Sequence, residues 1–333
     1  MNILKIIIRD TIFVLKNFKK VFLFFKYKFV DFLKKNLNYK SLINLNNLRY
    51  FNEKFDFVLL SKNNCLFKLP SIEAKFFYNE FKDSKNKFDY ENSTYDERNL
   101  FIIKHFIKNG DCVFDVGSHI GLYSIYLSKL VGSTGKVICL EPSDKTSQKL
   151  KSNFIINSCN NFKIYNCCAD EENGYCDFFE VDYEKIPQGT VNSSTIMNEK
   201  ISSKYFANKF IKIKKEKKSL DNIYRELINK NSSHPLNIKF IKIDTEGNEI
   251  NVLKGAKEII KEFNPIILFE FHTKRVKYLN QNLDFLKKEI LKNYHVYKIF
   301  IDLKFSAVAL NNFDFSNLDD YEGDLICLPK LSS

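Results

Sequence analysis

The sequence predicts a doubly wound α/β fold, in which helices cover both faces of a mainly parallel sheet. Apolar runs of strand length alternate with amphipathic runs of helix length from about residue 95 onward. The first regular strand leads into a turn with Gly117 and Gly121, and the next strand ends in Glu141, 20 residues after Gly121. In a doubly wound sheet these two points face one crevice, where nucleotide-like ligands bind.

The individual elements follow this alternation. Leu100, Ile103 and Ile107 recur at helical spacing and predict a helix over residues 95–108. Residues 175–220 interrupt the alternation with short strands and a polar loop. Seven strands are predicted, at residues 111–116, 136–140, 162–167, 238–243, 265–271, 296–300 and 325–328. Further helices are predicted at residues 122–131, 144–157, 221–229, 249–263 and 279–292.

Residues 1–90 are predicted to form a helical and irregular extension that precedes a main domain at 91–333. Residues 1–40 are rich in Phe, Leu and Lys. Their apolar runs are too short and contain too many charged residues to span a bilayer. They suit either contact with a membrane surface or packing on the main domain or a second subunit. We favour packing, either on the main domain or on a second copy of the chain in a homodimer.

Composition narrows the class of partner only a little. The chain carries a formal charge of +12, mostly from lysine, which favours an acidic partner in general. No arginine–aromatic motif of an RNA-binding module is present, so no nucleic acid is expected as a partner. No export signal is evident, which predicts a cytoplasmic protein, at most at the inner face of the membrane, with free thiols. The cysteines lack zinc-site spacing.

The first residue of the glycine turn narrows the ligand. A pyrophosphate-binding turn begins with glycine, but here that position is Asp115, whose carboxylate would repel phosphate and accept hydrogen bonds from an amino group. Glu141 suits the two hydroxyls of a ribose. This combination fits S-adenosylmethionine better than NAD. The first alternative function is an NAD-dependent dehydrogenase or epimerase. The second is a non-catalytic basic module that binds a membrane surface or nucleic acid.

A second group of polar residues follows two later strands. Asp244 and Glu246 come after one strand, and Glu270 and His272 end the next. Tips of parallel neighbours lie side by side, so these groups are expected to converge, which suits proton removal. A divalent cation held by Asp244, Glu246 and Glu270 is an alternative, although we predict no metal. Glu249 suits either the site or the N-terminus of a helix.

Three motifs together resemble those of one known family. They are Asp115-Val116-Gly117-Ser118-His119-Ile120-Gly121, Glu141-Pro142 and Lys242-Ile243-Asp244-Thr245-Glu246-Gly247-Asn248-Glu249. The pattern resembles the FkbM family of class I S-adenosylmethionine-dependent methyltransferases, over roughly residues 95–330. The family usually has Ala-Asn where this chain has Ser118-His119, so the contact made by residue 119 stays open. The resemblance implies a Rossmann-like seven-stranded sheet with an antiparallel last strand.

The resemblance also implies roles for individual residues. Asp115 and Gly117 would contact the methionine part of S-adenosylmethionine, with Gly121 completing the turn. Glu141 would hold the ribose, and Asp170 would take the adenine amine. For proton removal the candidates are Asp244 first, then His272 and Glu246. The implied reaction is methylation of a hydroxyl, and we expect the acceptor to be a sugar or surface glycan.

Overall fold

The computed structural model describes residues 48–52, 57–62, 65–70, 95–182, 210–230, 236–302, 307–315 and 320–330. The predicted helical segment at residues 1–40 lies outside these ranges, so its packing, its membrane contact and the homodimer stay predictions. Among the residues that are described, no helix is both long enough and apolar enough to cross a membrane.

Fourteen strands occur in the described residues. They are β1 Leu48–Asn52, β2 Phe57–Lys62, β3 Cys65–Pro70, β4 Cys112–Val116, β5 Lys136–Leu140, β6 Phe162–Tyr165, β7 Cys168–Ala169, β8 Gly174–Val181, β9 Phe210–Lys218, β10 Ile238–Ile243, β11 Ile266–His272, β12 Tyr294–Asp302, β13 Ala307–Asn312 and β14 Glu322–Pro329. The helices are α1 Tyr95–Ile103, α2 Leu122–Val131, α3 Asp144–Ile156, α4 Leu220–Lys230, α5 Glu249–Lys254, α6 Lys257–Phe263, α7 Thr273–Tyr278 and α8 Leu291–Asn293, with a π-helical turn at Leu286–Ile290.

Eight strands form the main sheet, in the order β13-β12-β14-β11-β10-β4-β5-β6. β6, β5, β4, β10 and β11 are parallel, whereas β14 runs antiparallel to both β11 and β12. The predicted doubly wound fold with an antiparallel last strand is confirmed. The predicted number of seven strands is one too few, because β13 forms an additional antiparallel hairpin with β12 at the sheet edge.

Three predicted helices differ from the structure, and the first of them, predicted at 95–108, ends at Ile103. The predicted helix at 249–263 is divided into α5 and α6 at Gly255, where a Cβ would lie 2.2 Å from the carbonyl oxygen of Asp170. The backbone at Asp170 therefore packs against the break between α5 and α6. The predicted helix at 279–292 is also wrong in its first residues, since α7 ends at Tyr278 and helical structure resumes only at residue 284.

The main sheet separates two apolar cores. Strand residues of alternating parity enter opposite cores, as the pleat requires: Val113 packs on one side and Phe114 on the other. Helices α1, α2 and α3 cover the first side, and α4 to α7 cover the second. β4 is buried along its whole length, as expected for a central parallel strand. All eight cysteines are free in this structure.

The β1–β3 sheet packs on the main domain through α3. Cys65 and Phe67 of β3 are buried in the same core as α2 and α3. Asn153 and Asn157, one helical turn apart, hold the backbone of β3: Asn153 Oδ1 accepts from Lys68 N at 2.8 Å and Asn157 Oδ1 from Leu66 N at 2.8 Å. The strands β1 to β3 thus lie within the extension that was predicted to be helical and irregular, and the domain boundary at residue 90 stays a prediction.

Candidate active site at the carboxyl edge of the sheet

The glycine turn after β4 packs against the tips of two neighbouring strands. The N–H groups of Gly117 and Ser118 both donate to the carbonyl oxygen of Leu140, at the end of β5. Gly117 has φ of 77°, and a Cβ there would lie 1.7 Å from the carbonyl oxygen of Asp244, just beyond β10. Only glycine fits this position, because both the conformation and the space exclude a side chain.

Asp115 lies fully buried beneath this turn. Ser124 Oγ donates to its Oδ2, and Lys242 Nζ lies 3.9 Å from its Oδ1. Oδ1 has no hydrogen-bond partner among the described residues. Burial raises the pKa of Asp115, while Lys242 and the Ser124 hydroxyl act in the opposite direction. The side chain therefore combines a buried acceptor with a nearby positive charge.

Glu141 connects the glycine turn to the end of β5. Its Oε2 accepts from the backbone N–H of His119 at 2.9 Å, and its Oε1 from that of Ser143 at 2.9 Å. The residue is buried, and burial raises its pKa to about 7 although the two backbone donors act to lower it. Each carboxylate oxygen retains a second acceptor direction, so the group can still accept hydrogen bonds from a ligand diol.

The acidic residues that follow β10 and β11 converge, as predicted. One carboxylate oxygen each of Asp244, Glu246 and Glu270 lies within 4.8 Å of the others. The strand register explains this, because Ile243 of β10 pairs with Phe269 of β11 and so brings Asp244 level with Glu270. This edge therefore presents several carboxylates beside the glycine turn.

Cationic side chains already neutralise most of these carboxylates. Lys242 Nζ lies 3.0 Å from Asp244 Oδ2, and Arg275 bridges Glu270 at 2.7 Å and Glu246 at 3.1 Å. His272 Nε2 lies 2.8 Å from Glu270 Oε1. Burial acts to raise the pKa of Glu270, but His272 and Arg275 outweigh it and lower that pKa to about 2. Burial would lower the pKa of His272, yet Glu270 raises it overall.

Glu249 belongs to the turn that precedes α5. Its Oε1 accepts from the N–H groups of Thr245 and Gly247, both at 2.9 Å, and from Thr245 Oγ1 at 3.0 Å. These donors lie in the turn before α5, outside its first helical turn. The carboxylate of Glu249 therefore fixes the backbone that carries Asp244 and Glu246, and a role in capping α5 stays a prediction.

Residues 115–299 match the sequence model of one family, described as the methyltransferase FkbM domain. The chain belongs to the FkbM methyltransferase family. This membership decides between the two enzymatic alternatives in favour of methyl transfer over NAD chemistry, with S-adenosylmethionine as the cofactor. No curated protein has a matching sequence.

Solved structures with similar folds include other methyltransferases. A putative rRNA methylase from Clostridium thermocellum is 15% identical, with a TM-score of 0.39 over 72% of this chain and 97% of that one. FkbM methyltransferase from Methylobacillus flagellatus KT is 17% identical, with a TM-score of 0.38 over 72% and 50%. SMU.1697c from Streptococcus mutans, in complex with SAH, is 9% identical, with a TM-score of 0.39 over 72% and 99%.

The crevice of this FkbM methyltransferase suits the chemical groups of its cofactor. Gly117 lets the turn pack against the Asp244 carbonyl, and Gly121, with φ of 96°, lets α2 begin against Leu150 of α3. Asp115 Oδ1, which accepts no hydrogen bond from the described residues, offers an acceptor for an amino group. Glu141 offers acceptor positions for a ribose diol. The residues present thus fit S-adenosylmethionine, and each individual contact stays a prediction.

Asp170, the predicted adenine contact, is held within its own loop. Lys217 Nζ lies 3.0 Å from Oδ2, and the N–H of Glu171 donates to Oδ1 at 2.6 Å. Asn248 Nδ2 donates to the carbonyl oxygen of the neighbouring Ala169 at 2.8 Å, which joins this loop to the start of α5. An adenine amine would therefore share the carboxylate with Lys217.

Sequence reasoning missed five residues at this edge: Lys242, Arg275, Asn99, Tyr123 and Asp324. Asn99 Nδ2 donates to Tyr123 Oη at 3.0 Å and to Asp324 Oδ2 at 2.5 Å. For Asn99 and Asp324, the spacing from buried apolar residues was a signal in the sequence. Asn99 lies four residues before the buried Ile103, and Asp324 lies two residues before the buried Ile326. Polar groups at core positions of a helix and a strand need a partner or a function.

Proposed function

We propose that this FkbM methyltransferase transfers the methyl group of S-adenosylmethionine to a hydroxyl of a neutral sugar or surface glycan. The observation that carries this proposal is the row of carboxylates beside the glycine turn, at Asp244, Glu246 and Glu270. Carboxylates accept hydrogen bonds from adjacent hydroxyls of one ligand, which suits a polyol.

The local charge supports a neutral acceptor over an anionic one. The chain as a whole carries +12, yet the edge presents at least four carboxylates, of Asp244, Glu246, Glu270 and Asp324, against the cations of Lys242, Arg275 and His272. A phosphate or nucleic-acid backbone brought to this edge would find the cations already paired with carboxylates. The basic composition elsewhere is therefore a poor guide to the acceptor.

The protein's contribution to this reaction is alignment and proton removal. The bound cofactor supplies an activated methyl group, so the acceptor oxygen needs only to be held in line with it. Lys242 and Arg275 hold the carboxylates through ion pairs, which leaves their remaining lone pairs in set directions for the acceptor hydroxyls. The backbone of Asp244 touches Gly117 of the glycine turn, and Asp244 is proposed to contact the reacting region.

Labelled S-adenosylmethionine and a panel of acceptors test the proposal. The panel contains neutral methyl glycosides of hexoses and deoxyhexoses, a uronic acid glycoside, a sugar phosphate and a short RNA. We expect label in the neutral glycosides, and loss of at least tenfold in Asp244→Asn. The matched control is Glu172→Gln, which changes an exposed acid outside the site. Transfer only to the RNA or the phosphate would contradict the proposal.

A further inference from the structure

Three carboxylates lie level with one another on three adjacent strands. Glu270 of β11 pairs directly with Asp324 of β14, and the β10–β11 register brings Asp244 level with Glu270. Directly opposed residues of an antiparallel pair place their side chains on the same face. Asp324 therefore extends the carboxylate row away from the glycine turn, on the side of the sheet that α1 covers.

Asp324 is held in place by α1. Asn99 uses its amide nitrogen for two hydrogen bonds, to Asp324 Oδ2 at 2.5 Å and to Tyr123 Oη at 3.0 Å. The Tyr123 ring lies 4.6 Å from Lys242 Nζ, which in turn contacts Asp244. A continuous polar chain thus joins Asp324 to Asp244 through α1 and α2, and Asn99 itself is almost completely buried.

Asp324 differs from the other acids of the row in its partners. Asp244 is paired with Lys242, and Glu270 with Arg275 and His272. For Asp324, no Lys, Arg or His nitrogen of the described ranges lies within 4.0 Å of the carboxylate, and its side-chain partner is the neutral Asn99. An ion-paired carboxylate is a weak base, because its partner stabilises the charged form.

The surroundings of Asp324 raise its affinity for a proton. Burial is the largest cause, followed by the negative charge of Asp244, and together they raise the pKa of Asp324 to about 7. Asp96 of α1 acts in the same direction, whereas Asn99 and Lys242 act to lower the pKa. On β11 the negative charge of Glu270 is balanced by Arg275 and His272. The residue is half-buried.

We propose that Asp324, positioned by Asn99, is the carboxylate that accepts the proton of the acceptor hydroxyl. The inference rests on the proposed hydroxyl methylation. A lone pair of the acceptor oxygen forms the new bond to the methyl carbon, while the electron pair of the breaking C–S bond stays on sulfur as neutral S-adenosylhomocysteine. The hydroxyl proton passes to Asp324. Both Asn99 and Asp324 lie outside the residues 115–299 that match the family.

The first experiment needs no acceptor. Calorimetric binding of S-adenosylmethionine at pH 6.5, in two buffers of different ionisation enthalpy, measures the protons released. The sulfonium charge should favour ionised Asp324, so the wild-type protein should release more protons with S-adenosylmethionine than with neutral S-adenosylhomocysteine. Asp324→Asn should abolish this difference with cofactor affinity within threefold of wild type. An unchanged difference in Asp324→Asn would overturn the proposal.

The second experiment follows turnover against pH with a neutral glycoside that accepts label. Asp324→Asn should lower turnover at least 100-fold, and Asn99→Ala should move the acidic limb of the profile to higher pH while turnover recovers above it. A purely structural role of Asn99 would lower turnover equally at every pH. Asp320→Asn is the control, because that acid is exposed and lies 3.3 Å from Lys274 Nζ.

The outcomes separate the two proposals. If no glycoside accepts label but the proton release depends on Asp324, the acceptor class is wrong and the role of Asp324 is supported. If glycosides accept label and Asp324→Asn keeps turnover within threefold while Asp244→Asn abolishes it, Asp244 is the base and the role of Asp324 is refuted. Thermal unfolding of each variant excludes loss of fold as the cause.

Discussion

Gly117 and Asp244 touch across the sheet so closely that a Cβ on Gly117 would lie 1.7 Å from the Asp244 carbonyl oxygen. The N–H of Asp244 donates in turn to the carbonyl oxygen of Val116 at 3.0 Å. Gly117 and Asp244 are 127 positions apart in the sequence, yet the two motifs that contain them form one structural unit. The cofactor turn cannot move without moving the backbone that carries the first acidic residue.

Gly117→Ala should therefore abolish cofactor binding. The new methyl group must displace the backbone of Asp244, and φ of 77° strains any residue with a Cβ. We expect a loss of stability of about 2–4 kcal/mol by urea unfolding, and no S-adenosylmethionine binding by calorimetry. Gly110→Ala is the matched control, since φ there is also positive at 92° but the nearest atom to a Cβ is 3.7 Å away. Equal affinity in both variants would contradict this account of Gly117.

Glu141→Gln should change both cofactor affinity and the pH dependence of stability. Losing charge-assisted bonds to the ribose should weaken S-adenosylmethionine binding roughly tenfold to 100-fold. The pKa of Glu141 is raised to about 7 from 4.5, so between these values the folded state binds more protons than the unfolded state. Its presence therefore makes the free energy of unfolding fall as pH rises through that window.

Urea unfolding at intervals from pH 4.5 to 7.5 measures this slope. Wild type should lose about 3 kcal/mol from Glu141 across the window, and Glu141→Gln should show a correspondingly flatter dependence. Asp324, whose pKa is also raised to about 7, keeps a residual slope in the variant. The exposed Glu172→Gln is the control and should match wild type. An unaltered slope in Glu141→Gln would show that the carboxyl is not protonated in this range.

The sequence predicted the parts of the fold that depend on local pattern. The strands β5 and β10 and the helix α2 begin and end where apolar periodicity and glycine place them. The convergence of Asp244 and Glu270 followed from parallel strand order alone. These features could be derived because each depends on one segment or on two neighbours in the sheet.

Contacts between distant segments could not be derived in the same way. Arg275 was missed because its pairing with Glu246 and Glu270 depends on where α7 starts, and the predicted helix began at residue 279 instead. The division at Gly255 depends on a loop 85 positions earlier, at Asp170. A helical pattern carries no information about a backbone that packs against it from elsewhere.

Asn153 should couple the β1–β3 sheet to the cofactor turn. It is completely buried, accepts from Lys68 N of β3, and donates to the carbonyl oxygen of Ile120, next to Gly121, at 2.9 Å. Asn153→Ala leaves both backbone groups without this partner, which should cost about 2–4 kcal/mol of stability and weaken cofactor binding severalfold. Ser152→Ala, exposed on the same helix, should change stability by less than about 0.5 kcal/mol. A stability change below about 0.5 kcal/mol in Asn153→Ala would show that this residue does not couple the β1–β3 sheet to the cofactor turn.

Activity should persist after removal of divalent metals. The carboxylates of Asp244, Glu246 and Glu270 have a geometry that would accept a cation, but Arg275 lies 2.7 Å from Glu270 and 3.1 Å from Glu246 and already supplies the positive charge. A metal ion would have to displace this guanidinium from two partners. We expect the turnover of the protein dialysed against EDTA to stay within twofold of that of the untreated protein.

Arg275→Ala provides the complementary measurement. Removing the guanidinium leaves the two glutamates mutually repelling, so stability should fall by about 2–3 kcal/mol, and added Mg²⁺ or Mn²⁺ should restore part of it by binding the vacated carboxylates. Lys274→Ala, exposed and adjacent in sequence, is the control and should show neither effect. If EDTA abolishes wild-type turnover and Mg²⁺ restores it, the cluster is a metal site, and the pairing with Arg275 must then rearrange when the ion binds.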